Sequence, residues 1–344
     1  MTEVVPVALE PVLLPKVWGG DRLAAAGLPV PSGARIGEAW MVADMARTAP
    51  TGAGGQAIIS RVASGPLAGI SLTELSSLWA RDLFGGSTSP SAPMPVLVKL
   101  LDAREHLSVQ VHPSPAYAAA HPAAHLKTEC WYVLTADPGA VLYLGTHPGV
   151  TLDQLRAAAT DGTIAERLVR VAAVPGTAYL LPSGLIHALG AGVVVAEIQT
   201  PSDTTFRLYD WTDEYGRAPR AMHVDASLAA CDLSAGVVTR ARGAAERRAV
   251  VADTPYFVVE ELLLAPGESV SLAASDARPC VVLMLDGAAE VRAPDERCAA
   301  VACHPAAAVL VPAVLVGAAQ LVATTSAARA LVVHVLGGCH DQSG

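Results

Sequence analysis

The sequence predicts a mainly β protein in two β-rich halves, each a sandwich or barrel, with a few inserted helices. Three observations predict it. Short apolar runs recur along the chain, Pro and Gly punctuate them, and one charged stretch, TRARGAAERRAV (239–250), divides them. The first half carries PVLVKLL (95–101), LSVQVH (107–112), ECWYVL (129–134) and GVVVAEIQT (192–200). The second carries YFVVEELLL (256–264), VVLMLDG (281–287), AVLVPAVLV (308–316) and ALVVHVL (330–336). Two helices interrupt the first half. Ser71 with Glu74 forms a capping box ahead of Leu75, Leu78, Trp79 and Leu83, closed by Gly85 and Gly86. Thr151 with Gln154 opens a second helical stretch running to about Arg170, and a shorter helix follows Pro115. The charged stretch reads as a solvated linker, so the expected domains are 1–240 and 241–344.

Composition excludes several classes. Hydrophobic residues make up 52% and charged residues 16%, which rules out intrinsic disorder. A net charge of -9 argues against nucleic acid, so an anionic substrate must meet a local basic pocket. The mean hydropathy of +0.41 raises the question of membrane spans. Val171 to Ala196 and Pro305 to Ala328 carry no formal charge, yet Pro and Gly break both, and buried strands explain them better. The N-terminus has Glu3 and Glu10 and no basic region of a signal peptide, so a cytoplasmic protein is expected. None of the six cysteines forms a CxxC pair, and they read as reduced thiols. Cys298, Cys303 and His304 are close in sequence but fit no strong zinc spacing.

Only three of the 23 basic residues are lysine: Lys16, Lys99 and Lys127. An ammonium is a compact point charge that arginine does not replace, so these positions are singled out. The most informative segment is Gly176 to His187, GTAYLLPSGLIH, which reads G-x5-P-x-G-x2-H. A strand ends, Pro and Gly turn the chain, and a histidine opens the next strand. Upstream, Gln110 and His112 are two apart and share a strand face, as do Lys127 and Glu129 if extended. Two histidines and a carboxylate with open positions suit zinc or iron.

The Gly176 to His187 segment resembles the second motif of the cupins, small jelly-roll barrels that bind a metal in their mouth. The fold this implies is two jelly-roll, cupin-like domains, although the second half has no PxGxxH and lacks a metal set. Cupins usually carry HxH where this chain has Gln110 and His112. LSVQVHPSPAYAAAHPAAHLKTECWYVL resembles the type I phosphomannose isomerases, a cupin family. So do WGG (18–20), IGEAW (36–40), LVKLLDA (97–103), PSGLIHAL (182–189) and SDTTFRLYDW (202–211). The resemblance fades after about residue 231.

It implies that His112, Glu129 and His187 bind one Zn²⁺ per chain, with Gln110 a candidate fourth ligand. Arg207 falls at the active-site arginine and Lys127 at the active-site lysine, while Lys99 and Ser108 match pocket-lining, substrate-binding positions. Glu38 and Trp40 match an element with a packing or supporting role. The implied activity interconverts mannose 6-phosphate and fructose 6-phosphate through an enediol. The expected partner is a small sugar phosphate, with no nucleic acid or membrane, and the expected state is a monomer. Arg207 stabilises the developing charge; Thr205 and Tyr209 are expected on its face, and a rim salt bridge with Asp203 or Asp210 is the plainer reading. The alternatives are a non-haem Fe(II) oxygenase and a sugar-phosphate-binding cupin without turnover. His121 and His125, four apart in an Ala/Pro-rich loop, read as solvated, and His106, His147, His223, His334 and His340 have no partner pattern.

Overall fold

A computed structural model describes residues 3–86, 93–273, 278–293, 299–324 and 326–336. Cys298, Cys339 and His340 lie outside the described residues. The fold is mainly β, with two jelly-roll units and few helices. In the first, a seven-stranded antiparallel sheet runs in the order Val238–Ala241, Thr177–Leu181, Glu129–Ala136, Val193–Gln199, Leu97–Ala103, Glu38–Val42 and Val12–Leu14. A five-stranded sheet faces it, in the order Leu168–Ala172, Val141–Thr146, His187–Leu189, Val109–Val111 and Phe206–Tyr209. Inward side chains such as Leu101, Trp131, Leu144, Leu189 and Val195 fill the space between them. Alternation does the rest. Cys130, Tyr132, Ala196 and Ile198 point out of the other face of the large sheet, where they meet the second unit.

That unit has a six-stranded sheet containing Cys280–Asp286, Phe257–Leu264 and Ala328–Val335, and a four-stranded sheet containing Ala289–Arg292 and Gln320–Ala323. Val282, Leu321 and Val332 belong to the core between them. Val259, Val281, Leu283 and Leu331 pack in the other direction, into the same cluster as Tyr132 and Ile198. The two sandwiches therefore share a buried apolar layer.

Several expectations are modified. Both capping boxes form, with helices at Leu72–Phe84 and Leu152–Asp161. The second stops well short of Arg170 because Gly162 takes a left-handed φ of 81° and ends it; Leu168–Ala172 is then a strand. The run 308–316 is not one strand. Pro312 follows Ala308–Val311, and Ala313–Val316 is a helical turn. The charged stretch is more than a linker. Its first part, Val238–Ala241, pairs with Thr177–Leu181, and its last part starts the strand Arg248–Asp253 of the other unit. Nor does the first unit hold all of the N-terminal chain, since Val7–Leu9 pairs with Ala308–Val311. Among the described residues no helix is long and apolar enough to cross a membrane.

Arg329 ties the two units together. Its Nε donates to Glu261 Oε1 at 2.9 Å, and its guanidinium also donates to the Tyr132 hydroxyl. Arg242 backs Glu261 at 3.3 Å. Replacing Arg329 with methionine keeps the apolar stem but removes both bonds. The urea midpoint is expected to fall by the equivalent of about 1–2 kcal/mol. An unchanged midpoint would show that the bonds of Arg329 add nothing to the join.

Candidate active site

Three neighbouring strands of the five-stranded sheet bring the first group together. His187 pairs with Gln110 on one side, and Gln110 pairs with Arg207 on the other. Residues opposite each other on antiparallel strands project together, so the row reads His187, Gln110, Arg207. His112 lies two residues beyond Gln110. The turn that delivers His187 depends on Gly184, whose φ is +95° and where an added Cβ would lie 2.9 Å from Ser114. Glu129 comes from the facing sheet, at the first position of its strand.

The ligand atoms of His112, Glu129 and His187 lie within 4.8 Å of one another, and all three residues are buried. His112 Nε2 is 3.3 Å from Glu129 Oε1, and His187 Nε2 is 3.5 Å from Oε2. Each imidazole is oriented through its other nitrogen. His112 Nδ1 lies 2.8 Å from the Thr204 carbonyl and His187 Nδ1 lies 2.9 Å from the Leu185 carbonyl. A carbonyl only accepts, so Nδ1 carries the proton and each Nε2 presents a lone pair.

Burial pushes the His112 pKa down to about 4, helped by Lys127, and burial lowers that of His187 too. Burial works the other way on Glu129, but the Lys127 ammonium against it opposes that, and its carboxyl is held well below the usual range. The site therefore offers two neutral imidazoles and a carboxylate at neutral pH. That donor set fits a divalent metal. So does the state of Glu129, whose fully buried oxygens have no well-formed hydrogen bond.

Lowered histidine pKa values fix a sign. Between about pH 6.5 and 4 the unfolded chain binds more protons at His112 than the folded one, so folding weakens as pH falls through that window. Glu129, also lowered, adds to the loss at the acid end. Chelated protein is expected to show a lower urea midpoint at pH 5 than at pH 7. Equal midpoints would contradict neutral imidazoles in the folded state.

Lys127 reaches into the same space. Its ammonium is in ion-pair contact with Glu129 and lies 3.3 Å from His112 Nε2. A divalent ion on those lone pairs would displace it toward the pocket. Gln110 turns its amide nitrogen toward His187 Nε2 at 3.3 Å, while its oxygen accepts from Ser108 at 3.3 Å. It becomes an oxygen ligand only if the amide turns over, and the Ser108 hydroxyl can then accept.

All three lysines line one pocket, together with Arg207, Arg220 and Ser108. Lys99 is buried, with its ammonium 2.9 Å from Glu197 Oε2 and 2.7 Å from Gln199 Oε1, and 4.8 Å from the Trp40 ring centre. Burial opposes its charge, but Glu197 and Glu38 raise its pKa. Glu38 accepts from Trp40 Nε1 at 2.7 Å and faces Lys16 at 3.4 Å, so the expected supporting role has a physical form. Sequence reasoning missed Glu197, which also accepts from Trp131 Nε1 at 2.9 Å. Its signal was a lone carboxylate inside the apolar run GVVVAEIQT.

Arg207 is not in a rim salt bridge. Asp210 pairs with Arg220, and Asp203 bonds the backbone of a loop. Arg207 Nη1 donates to the Ala221 carbonyl at 2.7 Å, and its Nε is buried without a partner. Burial and then Arg220 lower its pKa. Thr205 lines the pocket with it, but Tyr209 does not: the register shifts between Arg207 and Tyr209, and Tyr209 bonds Glu214 instead. His121 and His125 are exposed, as is His304, while Cys303 is buried.

Comparison with known proteins completes the site. Residues 7–133 match the family described as phosphomannose isomerase type I, catalytic domain. The chain is 37% identical over 228 residues to mannose-6-phosphate isomerase ManA of Bacillus subtilis, an alignment covering 65% of this chain and 67% of ManA. The chain belongs to the type I phosphomannose isomerase family. A mannose-6-phosphate isomerase of Streptococcus mutans is 38% identical over 226 residues, covering 65% of this chain and 66% of its own length. The chain thus aligns with about two thirds of the length of these curated relatives. The crystal structure of the mannose 6-phosphate isomerase from Bacillus subtilis superposes with a TM-score of 0.75 at 27% identity, covering 96% of this chain and all of that one. The fold likeness covers 96% of the chain, whereas the alignments with these curated relatives cover 65%.

Proposed function

We propose that this protein is a zinc-dependent aldose–ketose isomerase that interconverts mannose 6-phosphate and fructose 6-phosphate. One observation carries the reading: His112, Glu129 and His187 converge in a buried, oriented set whose ligand atoms lie within 4.8 Å, against Lys127 and Gln110, which line a lysine- and arginine-rich pocket. The family assignment supports it, as does a relative of the same fold, whose structure is described as mannose 6-phosphate isomerase bound with zinc and yttrium. The three residues would hold one zinc per chain, with Gln110 as fourth ligand. Zinc bound there supplies a Lewis acid that polarises sugar oxygens without redox chemistry.

The chain's own groups bind the sugar phosphate and meet the developing charge. Arg207, with a free Nε and no carboxylate partner, stabilises negative charge as the enediolate develops. Lys127 donates to a sugar oxygen once a metal takes over Glu129. Lys99 and Ser108 bind the substrate, Lys99 through a charge that Glu197 and Gln199 fix in place. The reading extends to a cytoplasmic monomer acting on a small sugar phosphate, whose anionic group the cations of the pocket suit. The oxygenase and non-catalytic readings fit less well, because a family of isomerases and a pocket with several cations both favour a phosphosugar and its turnover.

The test is a coupled assay of mannose 6-phosphate conversion to fructose 6-phosphate, run as purified, after chelation, and after Zn²⁺ or anaerobic Fe²⁺ is restored. Activity is expected to vanish on chelation and return with Zn²⁺. Folded, metal-loaded protein without turnover would overturn the proposal.

A further inference from the structure

The pocket lined by Lys127 and Gln110, which touch the ligand set, is small, about 90 Å³, and a second cavity of about 470 Å³ adjoins it. Small-molecule sites usually measure about 300–1,000 Å³, so the inner space does not receive a hexose phosphate as it stands. The two cavities share Lys16, Thr51, Gly52, Arg207 and Arg220. Three of these, Lys16, Arg207 and Arg220, are long side chains held by neighbouring groups. Gly52 and Thr51 instead belong to a loop, Ala49–Gly55, which forms the partition.

The loop is closed at its base and otherwise held at few points. At its base, Thr48 donates to the Gln56 carbonyl twice, from its amide at 3.0 Å and from its hydroxyl at 2.7 Å. At its far side, Gly54 and Gly55 both have left-handed φ, +86° and +84°, with open space around them. Most of the loop is exposed or half-buried, and Ala53 alone packs against the Trp40 cluster. Its tip is tied to the other strands by one buried side chain. Asp203 Oδ1 accepts from the Ala49 amide at 2.6 Å, and Oδ2 accepts from the Ala53 amide at 2.9 Å. A Cβ at Gly52 would collide with the Asp203 carboxylate and carbonyl, so only glycine lets the two meet. Asp203 lies four residues before Arg207, on the segment leading into its strand.

We propose that Asp203 is a positioning residue that latches the Ala49–Gly55 loop as a gate between the two cavities, and that the gate opens to admit the sugar phosphate and closes behind it. The gate's role in turnover rests on the functional reading above; the latch itself does not. With the latch broken, the loop leaves the pocket wall, substrate escapes faster, and affinity falls mainly through the off-rate.

Metal-loaded, full-length protein should be compared with Gly52→Ala, Asp203→Asn and the double variant, by amide hydrogen exchange across 49–55 and by steady-state kinetics on mannose 6-phosphate. Gly52→Ala keeps the carboxylate and sits on the exposed loop, so folding is not at issue. Each single variant is expected to speed exchange across the loop about tenfold. Each should raise KM severalfold with kcat within about twofold, and the double variant should be no worse than either single. A merely destabilised fold would lower apparent kcat and leave KM alone. Unchanged exchange in Gly52→Ala would overturn the latch. So would an Asp203→Asn that loses kcat beside a normal Gly52→Ala, since the carboxylate would then act in chemistry. Wild-type protein without turnover would sink the functional reading, while the exchange result would still decide the latch.

Discussion

His187→Ala is expected to lose bound zinc and to lower kcat/KM for mannose 6-phosphate by roughly a thousandfold or more, the scale of several kcal/mol of Lewis-acid stabilisation. His187 is the ligand whose removal disturbs least around it. It is buried, its Nδ1 serves only the Leu185 carbonyl, and its loss leaves Glu129 paired with Lys127. Glu129 is a less clean target, because its removal strands a buried ammonium at considerable cost. Metal analysis and kinetics on the same preparation check the prediction. If the variant keeps full activity, the three-residue ligand set is wrong.

Arg207→Ala is expected to lower kcat by about 10²–10³ while the metal stays bound, the effect seen when a donor aimed at developing charge is removed. The two variants thus separate holding the metal from stabilising the charge. Arg207→Lys should recover little. One ammonium nitrogen cannot occupy both the position of Nη1, 2.7 Å from the Ala221 carbonyl, and that of the unpartnered Nε. The kcat of both variants with saturating Zn²⁺ gives the answer, and an Arg207→Ala enzyme altered only in KM would assign the residue to binding alone.

The ligand set was legible through the resemblance its motifs carry, and the pieces of those motifs are local. Two residues apart on a strand means one face, and the Pro182–Gly184 turn announces the strand that His187 opens. The capping boxes at Ser71 and Thr151 were equally local. What escaped depends on register between distant strands. Glu197 meets Lys99 and Trp131 only because Val193–Gln199 lies between Leu97–Ala103 and Glu129–Ala136. The bulge that turns Tyr209 away from Arg207 leaves no composition signal, and the bonds from Ala49 and Ala53 to Asp203 join segments about 150 residues apart. Val7–Leu9 pairs with the distant strand Ala308–Val311, which no local pattern encodes. The scarcity of lysine was the exception: a bare compositional fact marked three positions that line one pocket.

The most direct measurement of the central claim is anomalous diffraction at the zinc edge from crystals of metal-loaded protein. The account predicts one peak per chain, bounded by Nε2 of His112, Nε2 of His187 and the Glu129 carboxylate, with Lys127 moved off Glu129. Crystals that show no peak there, grown from protein that turns over mannose 6-phosphate, would contradict it.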